Sequence, residues 1–157
     1  MASEVNSVFI CHGSSDKKGL GELVALIEAA GISVVLHQVE SSSTLGKQAI
    51  ADLKSKIYQA KIANTLAIVI YIDASIFDND LVDWAIRQAA KLNKRVVGIW
   101  ARTVDRCDRP QAINDYADAV LGWNGTSPVD GVLGKFDGCE CPDGNVCEKQ
   151  RIKRHDC

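Results

Sequence analysis

The stretch LAIVIYI, at residues 66–72, is an uninterrupted apolar run that is rich in β-branched side chains. It is far shorter than the roughly 20 residues that cross a bilayer, and it has the length of a strand. A strand that is apolar at every position is typical of a parallel sheet covered by helices on both faces. This stretch therefore predicts an interior strand of such a sheet.

Similar segments occur on both sides of it and alternate with helical patterns. The other predicted strands are SVFIC at 7–11, ISVVL at 32–36, RVVGIW at 95–100 and a weaker AVLGW at 119–123. Apolar residues spaced three or four apart predict the helices between the strands. These helices are marked by Leu20, Val24 and Ile27; by Ile50, Leu53 and Ile57 after Thr44; by Val82, Ile86, Ala89 and Leu92; and by residues 111–117 after Pro110.

The alternation of strands and helices predicts an α/β protein with a five-stranded parallel sheet, built like flavodoxin in the order 2-1-3-4-5. In that order the sheet reverses direction between the first and third strands. Ligands bind outside the carboxyl ends of strands at such a reversal. The loops expected there are CHGSSD at 11–16 and DASIFDND at 73–80.

The composition is that of one globular domain with little net charge. The chain has 157 residues, is 46% hydrophobic and 24% charged, and carries a formal charge of -2. This balance argues against a nucleic-acid partner, which requires clustered Lys and Arg. No membrane span or basic, apolar leader is evident, so we expect a cytoplasmic protein with mostly reduced cysteines.

The loop CHGSSD follows the first strand and opens a helix. Its small residues would let a ligand approach the backbone, and a helix N-terminus favours phosphate. The alternative is an ordinary turn in which a Ser or Asp caps the helix. Cys11 and His12 are adjacent in a strand and point to opposite faces, so they do not form a nucleophilic pair.

Trp84 and Gln88 are four residues apart, so they share one face of the helix that follows the third strand. That face lies on the flank of the apolar stripe formed by Val82, Ile86 and Ala89. An aromatic ring and a polar group at this place could hold the ring and hydroxyls of a ligand. The alternative is a tryptophan at the rim of the core beside a solvated glutamine.

From residue 125 onward, periodicity disappears and Gly, Asp, Pro and Cys dominate. We therefore divide the chain into a domain at 1–124 and a cysteine-rich extension at 125–157. No metal site is predicted, and free thiols are the favoured interpretation. The spacings are irregular, so the zinc candidates are weak; they are Cys139, Cys141, Cys147, His155 and Cys157.

Three segments together resemble a TIR domain, of the bacterial group that includes the Thoeris anti-phage protein ThsB. They are VFICHGSSD at 8–16, LVDWAIRQAAKLNKRVVGIW at 81–100 and ADAVLGWN at 117–124. The resemblance covers residues 5–124 and leaves out the cysteine-rich extension. It implies an enzyme that cleaves NAD between nicotinamide and ribose, with NAD as substrate and no further cofactor required.

The resemblance also implies roles for single residues. His12, Gly13 and Ser14 would border the nicotinamide ribose and the phosphates, and Ser43 would belong to a gating loop at 40–47 that also makes contacts between TIR domains. Trp84 would wall the pocket. The family's catalytic glutamate falls at Gln88, which keeps the shape but lacks the negative charge.

The resemblance therefore implies a NAD nucleosidase or ADP-ribosyl cyclase that is weakened at Gln88. Some members of the family make a cyclic ADP-ribose signal that activates an effector protein, so we expect that partner and self-association. The residue at 88 is either a substitution made to trap a ligand or a natural feature of a member that binds without turnover. The alternative function is a non-catalytic TIR module that acts through self-association.

Overall fold

The computed structural model describes residues 7–13, 16–38, 62–73, 76, 79–101, 104, 110–122 and 127–142. Within these residues the chain forms one five-stranded sheet, and every strand pair in it is parallel. The strand order is β2-β1-β3-β4-β5, as the sequence predicts. The predicted helix that begins at Thr44 lies outside the described residues, as does the loop at 40–47.

The strands lie close to their predicted positions. They are β1 (Ser7–His12), β2 (Ser33–Gln38), β3 (Ala67–Ile72), β4 (Arg95–Trp100) and β5 (Ala119–Leu121). The described helices are α1 (Lys17–Ala29), α2 (Asp80–Lys91), α3 (Gln111–Tyr116) and α4 (Pro128–Val132). None of these helices has the length and apolar character that crossing a membrane would require.

The sheet separates two apolar layers because alternate residues of a strand point to opposite faces. Val8 and Ile10 of β1 pack in the layer that contains α1 and α4. Phe9 and Cys11 pack in the layer that contains α2 and α3. β3 is buried at all six positions, so it fills both layers at once.

One predicted helix position needs correction. Leu92 follows the last residue of α2 as its C-cap and remains 46% exposed, and its neighbours Lys91 and Asn93 are exposed as well. In α1 the predicted Val24 packs against the core, and Leu23, which the spacing did not include, is fully buried beside it.

The residues at 127–142 pack onto the sheet and contain a helix that the sequence did not predict. α4 starts at a proline, which suits the first turn of a helix, and its Val132 joins the core. Cys139 then pairs with Val120 of β5 in an isolated parallel bridge. The division of the chain at residue 125 stays a prediction.

Cys139 and Cys141 are both disulfide-bonded, whereas Cys11 is buried and outside any disulfide. The expectation of reduced thiols is therefore wrong for the first two. It rested on the expected cytoplasmic location and on the rarity of disulfides in the cytosol. It did not take account of the close packing that fixes Cys139, which is 3% exposed, against the sheet.

Candidate functional site

The reversal of the sheet lies between β1 and β3, whose carboxyl ends stand side by side. Cys11 is in register with Ile70, so His12, the last residue of β1, and Gly13 after it lie near the end of β3. Asp73 follows β3 directly and is 1% exposed. A buried carboxylate at this edge is a feature that our reading of the sequence did not single out, although it opens the predicted loop at 73–80.

His12 is buried, and its Nδ1 lies 2.8 Å from the carbonyl oxygen of Gly13. Because a carbonyl only accepts, this contact requires a proton on Nδ1 and leaves Nε2 of the neutral ring as an acceptor. Strand alternation directs His12 to the face of Val8 and Ile10, which is the face covered by α1. Ser14 lies outside the described residues.

The loop between β1 and α1 ends in a polar contact that holds it to β3. The carboxylate of Asp16 caps α1 by accepting from the Gly19 amide at 3.0 Å. It also accepts from the hydroxyl of Tyr71 at 2.6 Å. Gly19 makes room for this pair, since a Cβ there would lie 2.3 Å from both the Asp16 carboxylate and the Tyr71 hydroxyl.

This contact bears on one part of the predicted ligand site, the phosphate expected at the start of α1. A carboxylate that occupies the N-cap already uses the Gly19 N–H and adds negative charge where a phosphate would bind. Asp16 therefore acts as the cap of α1, and this helix end is not a free anion site. One feature of the sequence could have indicated this contact: Tyr71 lies in a predicted buried strand, and a buried tyrosine hydroxyl requires a hydrogen-bond partner.

α2 starts at the same edge of the sheet and carries Trp84 and Gln88. Asn79 caps it by accepting from the amides of Leu81 and Val82, both at 3.1 Å. Trp84 is half-buried and packs against the core layer of α2, and Gln88 is half-buried one turn further on. The two side chains thus lie on the flank of the buried stripe, as their spacing predicts.

Arg87, which precedes Gln88 in the sequence, is a cation whose charge is paired with Asp83. Arg87 Nε donates to Asp83 at 2.8 Å, and its guanidinium lies 5.3 Å from the ring centre of Tyr116. The hydrogen bond to Asp83 raises the pKa of Arg87 above its already high value. Both charged side chains are about two-fifths exposed, so water screens the pair and its contribution to stability is small.

The sheet separates the predicted site residues into two groups. His12 points to the α1 face, whereas Trp84 and Gln88 belong to α2 on the opposite face. A ligand that contacts both groups must therefore extend across the carboxyl edge between β1 and β3. Ser43, Cys147, His155 and Cys157 lie outside the described residues.

The described side chains offer no group of three or more residues that could hold a metal ion. Cys139 and Cys141 are oxidised to disulfides, so their sulfurs are not available as thiolate ligands.

Comparison with known proteins yields one family match. The family model of the Thoeris protein ThsB, TIR-like domain, matches residues 9–106, which is more than half of the chain. A search of the curated proteins finds no match. Among solved structures, the chain is similar to the TIR domain of the Toll-related receptor TRR-2 from the lower metazoan Hydra magnipapillata. That likeness has 21% identity and a TM-score of 0.41, and it covers 68% of this chain and 77% of that one.

Proposed function

Because the chain belongs to the TIR-like family of the Thoeris protein ThsB, we propose that it binds NAD at the carboxyl edge of its sheet and cleaves it slowly. The bond that breaks joins the nicotinamide nitrogen to C1′ of the ribose, and its electron pair leaves with nicotinamide. The ribose that remains carries positive charge in the transition state, as in glycoside hydrolysis.

The observation that supports this proposal is the pair formed by Trp84 and Gln88 on α2. Both are half-buried, lie one turn apart and follow the helix start at the sheet reversal. An indole at this place can contact the nicotinamide ring, and the side-chain amide can hydrogen-bond the ribose hydroxyls. A carboxylate in place of the amide would also stabilise the developing positive charge.

The residues at the end of β1 complete the proposed site from the other face. The buried imidazole of His12 presents Nε2 as an acceptor, and Gly13 lets the nucleotide approach the backbone. We propose that Ser14 and Ser43 supply hydroxyl contacts. Since Asp16 occupies the N-cap of α1, the pyrophosphate binds away from the Gly19 amide.

The downstream role follows from family membership alone. We propose that the residual reaction closes ADP-ribose into a cyclic signal, in which a group of the same molecule replaces nicotinamide at C1′. Such a signal would activate an effector protein in defence against phage. Self-association through TIR contacts, in the cytoplasm, belongs to the same proposal.

The deciding experiment restores the negative charge. NAD consumption and nicotinamide release are measured by chromatography for the chain and for Gln88→Glu. Loss of one transition-state electrostatic contact typically costs a factor of about 10²–10³, so we expect Gln88→Glu to raise turnover at least tenfold. Lys91→Glu is the matched control, because it adds a carboxylate at an exposed position of the same helix.

Each outcome separates the proposed roles. A gain with Gln88→Glu and none with Lys91→Glu supports catalysis at position 88. Brisk turnover by the unmodified chain would mean that the catalytic group lies elsewhere. If neither variant turns over NAD and saturating NAD leaves Tm unchanged, the non-catalytic self-association module is the better account.

A further inference from the structure

The outer edge of β2 differs from the edge of β5, where the Val120 amide donates to the carbonyl of Gly138 at 3.0 Å. β2 ends the sheet and pairs with β1 alone within the described part of the chain. Its six residues, SVVLHQ, include no proline, lysine, arginine or carboxylate. Natural edge strands commonly carry such residues, which keep other strands from pairing with them. β2 therefore offers its outer backbone groups to a further strand.

Leu36 is the apolar side chain near the middle of this edge. It is in register with Ile10 of β1, so it lies on the α1 face of the sheet. Ile10 is fully buried, whereas Leu36 is 46% exposed. A strand added outside β2 would cover Leu36 and remove apolar surface from water.

The close approach of Gly19 to Tyr71 shows which flank of α1 faces this edge. A Cβ on Gly19 would lie 2.3 Å from the Tyr71 hydroxyl, so the flank that carries Gly19 faces β3. β3 and β2 lie on opposite sides of β1, so the opposite flank of α1 faces β2. At about 3.6 residues per turn, that flank carries four residues, here called the β2-side line. They are Lys17, Gly21, Val24 and Glu28.

The charges of the β2-side line stand in the order that a single helix disfavours. Lys17 lies in the first turn of α1 and Glu28 in the last, whereas the helix macrodipole favours an acid first and a base last. Both side chains are exposed, and neither forms an ion pair with any described residue. Two such lines placed side by side and antiparallel would bring Lys17 of each opposite Glu28 of the other. The charge order therefore fits a second copy of the same line.

We propose that a second copy of this chain docks on this edge, with β2 antiparallel to β2 and α1 antiparallel to α1. The two five-stranded sheets then form one continuous sheet. The inference rests on the self-association that the proposed function includes, and it does not depend on NAD cleavage.

One two-fold axis, perpendicular to the sheet, satisfies both contacts. It keeps each face of the sheet on its own side, so a residue must lie opposite one whose side chain points to the same face. Leu36 opposite Leu36 of the second copy meets this condition and pairs the two exposed leucines. α1 has 13 residues and β2 has six, so both are about 20 Å long and run between the same two edges of the sheet. The middle of the β2-side line therefore lies beside the middle of β2, where the axis passes.

The centre of the β2-side line also has the shape for a like partner. A Cβ on Gly21 would meet no atom within 4 Å, so open space lies beside this residue. Val24 is half-buried, and part of its side chain is still exposed. Under the axis, Val24 of each copy lies opposite Gly21 of the other and fills that space.

Sedimentation equilibrium of the full chain, from about 5 to 500 μM, measures the dissociation constant of the dimer. Leu36→Lys places two like charges at the axis, so we expect it to raise that constant at least about tenfold. Leu26→Lys is the matched control. Leu26 is 45% exposed and lies on the Gly19 flank of α1, two turns further on, so its variant should dimerise like the unmodified chain.

A charge reversal tests the helix contact at low salt. Lys17→Glu or Glu28→Lys alone places like charges opposite each other on both sides of the axis, and each should raise the dissociation constant about fivefold or more. The double variant restores opposite charges and should return to within about twofold of the unmodified chain. Each reversal also suits the macrodipole of α1, so a weaker dimer cannot be attributed to a weaker helix.

The outcomes separate the interface from self-association in general. Equal dissociation constants for Leu36→Lys and Leu26→Lys would overturn this interface and leave a dimer formed through another surface. A double charge reversal that fails to restore the dimer would overturn the pairing of the two α1 helices. A chain that stays monomeric at every concentration would overturn the interface and the proposed self-association together, whatever its turnover of NAD. If Leu36→Lys does not fold, as judged by circular dichroism, the charge-reversal set still decides.

Discussion

The two edge strands of the sheet, β2 and β5, differ in how deeply their side chains are buried. β2 has six residues, but Ser33, Leu36 and Gln38 are exposed. β5 has only three residues, and all of them are buried. The longer strand thus has the more open side chains, and three of its six residues, Ser33, His37 and Gln38, are polar.

The difference arises in part from residues that follow β5 in the chain. α4 packs beside β5, where a Cβ on Gly131 would lie 2.3 Å from Leu121 Cδ1, and residues 138–140 bond to the edge of the strand at Val120. Leu36 of β2 remains 46% exposed. Strand length therefore does not determine how much of an edge strand is buried; the polar residues of β2 and the later residues that cover β5 both contribute.

One pair of identical substitutions gives the largest expected contrast. Leu121→Ala removes a fully buried side chain that packs on Gly131, so we expect a loss of about 2–5 kcal/mol in the free energy of unfolding. Leu36→Ala removes a side chain that is already half in water, so we expect less than about 1 kcal/mol. Urea denaturation of both variants measures the two losses, and equal losses would contradict the contrast between the edges.

A second pair tests what holds the C-terminal residues at the β5 side. Arg95 donates to the carbonyls of Gly131 and Phe136 and to the Asp137 carboxylate, at 2.6–2.7 Å. A lysine cannot reach three acceptors in this fork geometry. We therefore expect Arg95→Lys to lower the free energy of unfolding by about 1.5–3 kcal/mol.

Arg87→Lys is the control for that substitution. Both side chains of the Arg87–Asp83 pair are about two-fifths exposed and screened by water, so the loss should stay below about 0.5 kcal/mol. Urea denaturation at low and moderate salt provides the measurement. If Arg95→Lys costs no more than Arg87→Lys, Arg95 does not hold the C-terminal residues, and the covering of β5 depends on other contacts.

The sequence predicts the sheet well because each strand is marked by a pattern of neighbouring residues. Continuous apolar runs mark all five strands, and their alternation with helical patterns leaves few topologies. The covering of β5 has no such signal. Glu140 lies in a segment without periodicity, and its partners Trp100 and Gly122 are 40 and 18 residues away in sequence.

The candidate site shows the same division between local and distant information. The spacing of Trp84 and Gln88 predicts their shared, half-buried flank, because helical periodicity is local. The loop at 11–16 leaves two readings open, a phosphate site or a capped turn. Tyr71, 55 residues away, donates to Asp16 and helps to hold it as the cap of α1, and only the fold brings the two together.

The hydrogen bond from Tyr71 to Asp16 starts from the interior strand β3, and its removal is the smallest effect predicted here. Tyr71→Phe removes the hydroxyl bond to Asp16 but keeps the buried ring and the Asp16–Gly19 cap. We expect a loss of about 1–2 kcal/mol in the free energy of unfolding, since Asp16 is half-buried and water can replace the hydroxyl.

Tyr116→Phe is the control. The hydroxyl of Tyr116 accepts a hydrogen bond from Arg87 at 3.3 Å, so its removal should leave the free energy of unfolding nearly unchanged. Exchange of the Gly19 amide should quicken in Tyr71→Phe alone. Equal exchange in both variants would mean that β3 does not hold the start of α1, and that the loop beside His12 is positioned by the cap itself.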